Sequence, residues 1–347
     1  QLNQLGERGE AALQTIRDGG SLPDPWTWDD RIWAAVVTLI TVAVLYNGRY
    51  GPLQMISTVL VVAFTFLTLG NVFSLQMTDK YSLSTEDILR GLSFGLPSGS
   101  NGWESVKTAL ATFGIIGVGA TELITYPYWC IEKGYARYAG KRTDDEFWAT
   151  RANGWIRVMK YDAFLSMIVY TLATIAFYIM GVTVLHREGR DPDGMRMVTS
   201  LASAYVPIFG TYAKWLFLVG AIAVLYSTFL VANAGHARMF TDSLKVFGLI
   251  DRNSQKVHNI TLTAFCVLLP VTCLAIFCSG INPVDAILLA GMMQAIMLPM
   301  LGFSALYFRW YATDQRLAPG KAWDIALVIS FVGLLITGIW GVVAKLI

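Results

Sequence analysis

One apolar stretch of the sequence, residues 107–130, contains side chains that could bind a cation. Glu122 lies within it, and Thr121 and Thr125 flank this carboxylate. A charge near the middle of a membrane costs at least about 2.5 to 3.5 kcal/mol, so a carboxylate at that depth usually meets a cation or a proton. The stretch therefore predicts a cation site with carboxylate and hydroxyl oxygens. The alternatives are a protonated Glu122 bonded to a neighbouring helix, and threonines bonded to helix carbonyls.

The same stretch predicts an interrupted helix. Gly114, Gly117 and Gly119 precede Glu122, and Pro127 follows it. Glycine and proline both weaken helices, so this combination favours local unwinding between Gly117 and Pro127. In lipid, unwound backbone survives only where it packs against protein or lines a polar cavity, and discontinuous helices form ion sites in secondary transporters. The alternative is a simple kink at the proline.

Two further groups of polar residues accompany apolar runs. Gln294 needs a hydrogen-bond partner in lipid, so it predicts either a contact between helices or a contact with an ion. A second cluster closes the fifth apolar run and indicates a cytoplasmic gate or an interfacial anchor; it comprises Asn233, Gly235, His236, Arg238 and Asp242. The methionines near Gln294 are read as core filler rather than as a copper site.

The composition identifies lipid as the solvent of most of the chain. Of the 347 residues, 55% are hydrophobic and only 14% are charged, whereas soluble domains carry about 25% charged residues. The net charge of +2 is small, and no basic stretch is interleaved with aromatics, so nucleic acid is not an expected partner. The expected partners are the lipid bilayer and a divalent metal ion.

Eight apolar stretches are long enough, or nearly so, to cross a hydrocarbon layer about 30 Å thick. They predict an all-α, polytopic membrane protein whose transporter domain covers 31–347, after a polar extramembrane lead at 1–30. The predicted spans are 32–47, 53–74, 107–130, 163–184, 214–234, 260–279, 284–308 and 325–346.

Lysine and arginine predict the orientation, because positive loops are retained on the cytoplasmic side. The loop 131–160 carries seven such residues, whereas the turn 280–283 on the opposite side carries none. We therefore expect 131–160 inside the cell and Gln1 outside. The expected location is the plasma (cell inner) membrane, with the chain crossing it several times.

The sequence does not indicate enzyme chemistry or a resident cofactor. The four cysteines form no CxxC pair, the three histidines flank apolar runs, and no HExxH motif occurs. We expect no enzymatic activity and no cofactor, with a metal ion present as cargo.

The residues around Glu122 resemble a known family. The run 119–123 (Gly-Ala-Thr-Glu-Leu) is similar to the sixth helix of the Nramp divalent-metal transporters, whose pattern there is Gly-Ala-Thr-x-Met-Pro-His. Other segments resemble the family's fourth-to-fifth helix turn, the loop after its fifth helix and the Leu-Pro of its tenth helix; they are 48–53, 87–91, 96–97 and 298–299. The resemblance implies a LeuT-type inverted repeat of the APC superfamily. Read this way, the chain covers family helices four to eleven and lacks the first three.

Departures from the family pattern imply a particular class of ion. Leu123 stands where the family has a metal-binding Met, and Ile124 and Thr125 replace Pro-His. Losing the thioether and gaining Glu122 favours hard ions, as in the Nramp-related magnesium transporters, and losing the His weakens the case for proton coupling. Gln294 lies one helical turn from the family's metal-facing Gln. The site implied by the resemblance comprises Ala120 with its carbonyl, Thr121, Glu122, Leu123, Thr125 and Gln294.

Three functions follow from these observations. The first is transport of divalent cations, Mg²⁺ or Mn²⁺ before Fe²⁺, by alternating access around the broken helix. The second is proton-coupled transport of Mn²⁺ or Fe²⁺ in the ordinary Nramp manner. The third is transport of an organic solute such as an amino acid, against which Glu122 argues because it would repel the carboxylate of the substrate.

Overall fold

The computed structural model describes residues 29–46, 50–93, 109, 112, 118–189 and 201–346. The predicted lead up to residue 28, Gly114, Gly117, and the segments 48–49 and 96–97 lie outside these residues. The described secondary structure is helical and contains no β-strand, which confirms the all-α prediction. The chain forms two compact units, Gln1–Ile40 and Thr41–Ile347, and every candidate site residue belongs to the second.

The helices of the described residues are numbered here in chain order. They are α1 (Asp29–Tyr46), α2 (Tyr50–Gln76), α3 (Thr85–Leu92), α4 (Ala120–Glu132), α5 (Tyr135–Ala139), α6 (Glu146–Met180), α7 (Val206–Phe209), α8 (Ala213–Val246), α9 (Gln255–Cys278), α10 (Pro283–Tyr307) and α11 (Lys321–Leu346). Wider π-helical turns extend α6 over Gly181–His186 and α10 over Phe308–Ala312.

Within the described residues, five segments are long and apolar enough to cross a membrane. These are Glu146–His186, Trp215–Val246, Gln255–Cys278, Val284–Ala312 and Lys321–Ile339, and a shorter apolar segment covers Val61–Gln76. Large apolar side chains such as Phe303 and Ile336 remain exposed along these helices, which is the pattern of helices that face lipid. The protein is therefore an integral, multi-pass membrane protein.

The largest difference from the predicted spans is the length of α6. It begins at Glu146 rather than at residue 163, so much of the predicted loop 131–160 is helical. Asp145 caps the helix by accepting a hydrogen bond from the Trp148 N–H at 2.6 Å, and this bond lowers the pKa of the Asp145 carboxyl below its ordinary value. Hydropathy detects only the apolar part of such a helix, because its polar first turns carry no membrane signal.

The predicted interruption of the third span occurs only at its glycine end. The backbone is helical at positions 109 and 112 and is not helical at 118 and 119. Helix α4 then begins at Ala120 and continues through Pro127, so the proline does not break it. Proline removes one N–H and thus one helical bond, and membrane helices tolerate this loss because neighbouring groups re-satisfy the freed carbonyl.

Small residues allow the helices around the site to approach closely. A side chain at Gly235 of α8 would collide with Thr125 of α4, and a side chain at Gly338 of α11 would overlap with Pro299 of α10. Membrane helices associate through such contacts, because lipid provides no hydrophobic force between them. Helix α4 packs against both α8 and α10, which bring their residues to its first turn.

The α10–α11 contact gives a stability prediction. Gly338→Ala should lower the free energy of unfolding by about 1 to 3 kcal/mol, since its methyl group overlaps with the rigid ring of Pro299. Gly333→Ala in the same helix is the matched control, because nothing lies within 4 Å of its new methyl group. Thermal melting of the detergent-solubilised protein should show a lower midpoint for Gly338→Ala than for Gly333→Ala. Equal midpoints would contradict the close packing.

Candidate metal-ion site

The candidate site lies where α4 begins. Gly119 precedes the helix in an extended conformation (φ −72°, ψ 170°), and its carbonyl accepts the Leu123 N–H at 3.2 Å. Glu122 occupies the first turn, where the positive end of the helix dipole stabilises a carboxylate. Residues in this turn can present side chains to a ligand while the helix itself remains intact.

Three side-chain oxygens from two helices converge beside Gly119. The Thr121 hydroxyl lies 3.1 Å from Oε2 of Glu122 and 3.2 Å from Oε1 of Gln294 in α10. A hydroxyl has a single proton, so Thr121 can donate to only one of these two acceptors at a time. These oxygens therefore offer more acceptor lone pairs than the Thr121 proton can fill, and a cation could bind to the remaining ones.

Glycine at position 119 makes this convergence possible. A Cβ atom there would overlap with Oε1 of Gln294 and lie 2.5 Å from Oε2 of Glu122. The two oxygens thus fill the space that any other residue would need for its own side chain. The backbone conformation of Gly119 is open to all residues, so the requirement for glycine comes from this space rather than from backbone strain.

The other predicted site residues occupy different positions. Ala120 is fully buried and already helical, so its carbonyl points along the axis towards the next turn, whereas the Glu122 carboxylate lies beside Gly119. The Thr125 hydroxyl donates to the Glu122 backbone carbonyl at 3.2 Å, which is the local bond considered as its alternative role. Leu123 is 46% exposed and contributes no polar atom.

Two features of the site were not assigned to it from the sequence. One is the space at Gly119. The other is His236 of α8, which was assigned to a gate or anchor but lies within electrostatic range of the Glu122 carboxylate. His236 follows Gly235, the residue that packs against Thr125. No sequence signal links positions 122 and 236, because only the packing of α4 on α8 brings them together.

The converging side chains offer oxygens of three different kinds. Among the residues that the structure describes, no three His, Cys, Asp or Glu side chains form a group able to hold a metal. The converging set instead contains one carboxylate, one hydroxyl and one amide oxygen. Such ligands suit hard cations.

The fold and this site define a polytopic helical membrane protein with an oxygen-lined site at the start of an interrupted span. The family model for natural resistance-associated macrophage protein-like proteins (Nramp) matches residues 26–344. The chain belongs to the Nramp family, whose members are membrane transporters of metal ions and not enzymes. Its helical architecture is consistent with a LeuT-like fold. Neither a curated protein nor a solved structure gives a match.

Gly119→Ala separates binding from folding. The new methyl group meets the flexible ends of Gln294 and Glu122, so both side chains should rotate away while the helices remain packed. We expect the affinity for Mg²⁺ or Mn²⁺ to fall about tenfold or more in calorimetric titration, with little change in melting temperature. Gly154→Ala is the control, since nothing lies within 4 Å of that position. Unchanged affinity in Gly119→Ala would show that the two oxygens do not bind the ion together.

Proposed function

We propose that this Nramp-family protein transports Mg²⁺ and Mn²⁺ across the plasma membrane, with Fe²⁺ as a weaker substrate. The observation that carries the proposal is the convergence of Thr121, Glu122 and Gln294 oxygens beside Gly119. The ion binds at the start of α4 and reaches the two sides of the membrane by alternating access. It is cargo, and the proposal includes no resident cofactor.

The chemistry of the ligands supports a hard ion. Leu123 offers no lone pair at the position where the family pattern has a thioether. The side-chain atoms that could bind an ion nearby are the oxygens of Thr121, Glu122 and Gln294. Soft and borderline metals gain most from sulfur, whereas Mg²⁺ and Mn²⁺ prefer carboxylate, carbonyl and water oxygen. Mg²⁺ also keeps several of its waters, so a small set of direct protein ligands is sufficient for it.

An ion that binds to both α4 and α10 would stabilise one conformation of the protein over another. Glu122 belongs to α4 and Gln294 to α10, so an ion held by both oxygens stabilises the arrangement in which these helices meet. A ligand shifts a conformational equilibrium only through its different affinities for the two states. Separation of α4 from α10 would remove Gln294 from the ion and lower its affinity, which favours release.

Two alternatives are less compatible with the geometry. Proton-coupled transport of Mn²⁺ or Fe²⁺ in the ordinary Nramp manner uses a Met and a His. This chain has Leu123 and Thr125 at those two positions. Thr125 donates to the backbone of its own helix. An amino-acid carrier needs a helix start free to receive the substrate carboxylate, and Glu122 already places a carboxylate in the first turn of α4.

Glu122→Gln tests the proposed function most directly. The amide keeps the size of the side chain but removes the charge that offsets dehydration of the ion. We expect the initial rate of Mg²⁺ or Mn²⁺ uptake into proteoliposomes to fall about tenfold or more at equal reconstitution. Glu86→Gln, an exposed carboxylate paired with Arg90 in α3, is the control and should transport normally. Uptake by Glu122→Gln within about twofold of the unmodified protein would remove Glu122 from the site.

Leu123→Met tests the class of ion. A thioether restored at this half-exposed position gives a soft metal a sulfur ligand, so Cd²⁺ should compete with Mn²⁺ uptake about tenfold more effectively than in the unmodified protein. Leu123→Ile adds no lone pair and is the matched control. Strong competition by Cd²⁺ in the unmodified protein, with none by Mg²⁺, would contradict the hard-ion site and favour the ordinary Mn²⁺ and Fe²⁺ branch of the family.

A further inference from the structure

Arg238 of α8 makes several contacts at the far end of α4 from the ion site. Its guanidinium forms an ion pair with Glu132, the last residue of α4, and lies 4.9 Å from the ring centre of Trp129. Its Nη1 also donates to the Ala234 carbonyl at 2.7 Å, which fixes the side chain along its own helix. One residue of α8 therefore holds the last turn of α4 through charge and through an aromatic face.

Further contacts continue along the same pair of helices. Tyr128 of α4 lies within electrostatic range of Asp242 of α8, and Thr125 packs against Gly235. The contacts between α4 and α8 thus extend from the turn after Glu122 to the end of α4. Any movement that separates the two helices at this end must break the Arg238 contacts.

The strength of the ion pair is suited to repeated opening. The Arg238 side chain is 20% exposed and the Glu132 side chain is 41% exposed, so water screens both charges. Partly solvated pairs of this kind change an equilibrium by about two- to fivefold, which biases two conformations without locking one of them. A fully buried pair would hold α4 far more firmly.

The surroundings of Arg238 provide space for the released guanidinium. Arg238 lines a cavity of about 400 Å³ within the second unit, together with residues 44–46 at the end of α1 and residues of α9. The same cavity is lined by Asn259 and Thr263, whose side-chain oxygens can accept hydrogen bonds from an arginine that has left Glu132. Release therefore need not leave the charge without partners.

We propose that Arg238 is a gate residue: it closes the cytoplasmic end of the α4–α8 contact by holding Glu132 and Trp129, and it releases them when the bound ion leaves towards the cytoplasm. This role extends the proposed function and uses the orientation given by the seven positive residues of 131–160. The ion site lies at the first turn of α4 and the gate contacts lie at its last turn, so this helix connects the two. The other role considered for this cluster, interfacial anchoring, does not require the contacts to break.

The test measures the distance between the two helix ends. Spin labels at Ile131 of α4 and Val246 of α8, which are both strongly exposed, report this distance after Cys130, Cys266, Cys273 and Cys278 are replaced by alanine. Three full-length proteins are measured in nanodiscs without metal. They are the protein with its native Arg238–Glu132 pair, the Arg238→Gln variant, and the charge-exchange variant Glu132→Arg plus Arg238→Glu. Metal-free measurement makes the result independent of which ion is transported.

A gate predicts a specific set of outcomes. Arg238→Gln should increase the population with the longer distance about two- to fivefold, and the charge exchange should restore the shorter distance. Arg309→Gln is the matched control, because it breaks another interhelical ion pair, with Asp324 at 2.6 Å, away from α4 and α8. It should leave the distance unchanged. An unaltered distribution in Arg238→Gln, or an equal change in Arg309→Gln, would overturn the proposal, whereas loss of uptake in Glu122→Gln tests the ion site separately.

Discussion

The packing of α4 between α8 and α10 is the interaction on which the rest of the structure depends. Lipid does not hydrogen-bond to unpaired backbone groups, so a helix that begins at Ala120, within an apolar span, requires protein around its first turn. Gly235 permits the close approach of α8, and Thr121 meets Gln294 of α10. The same contacts that make the interrupted span tolerable also bring polar side chains to it.

The charge of Glu122 connects this packing with transport. A carboxylate inside a membrane is costly, and the first turn of α4 offsets part of that cost through the helix dipole. The Thr121 hydroxyl can donate its single proton to only one of the two oxygens beside Gly119, so the other oxygen can accept a further positive partner. In the proposed function a divalent cation is that partner, which gives a metal-ion transporter a reason to keep an acidic residue within an apolar span.

Contacts at the two ends of the helices differ in how strongly they are buried. On the side opposite to Arg238, Tyr81 donates to Glu188 at 2.8 Å, and the fully buried Asn71 donates to the Ala204 carbonyl at 3.3 Å. These bonds link α2 to the segments that flank α7. The partly solvated Arg238–Glu132 pair is worth little by itself, whereas the buried Asn71 bond and the close glycine contacts keep the helices together.

The sequence by itself determined the helical class, the membrane, the family and the position of the interrupted span, because hydropathy, glycine and proline act through local chemistry. It also predicted Thr121, Glu122 and Gln294 as candidate ligands, and the structure brings these three side chains together. It did not determine that α6 starts at Glu146 or that the helix continues through Pro127, since both depend on how neighbouring groups satisfy the backbone. Only the tertiary structure placed Gln294 against Thr121, turned Thr125 to its own helix, and brought His236 towards Glu122. Those outcomes depend on which faces of α4, α8 and α10 meet, and residues more than a hundred positions apart carry no local signal of that geometry.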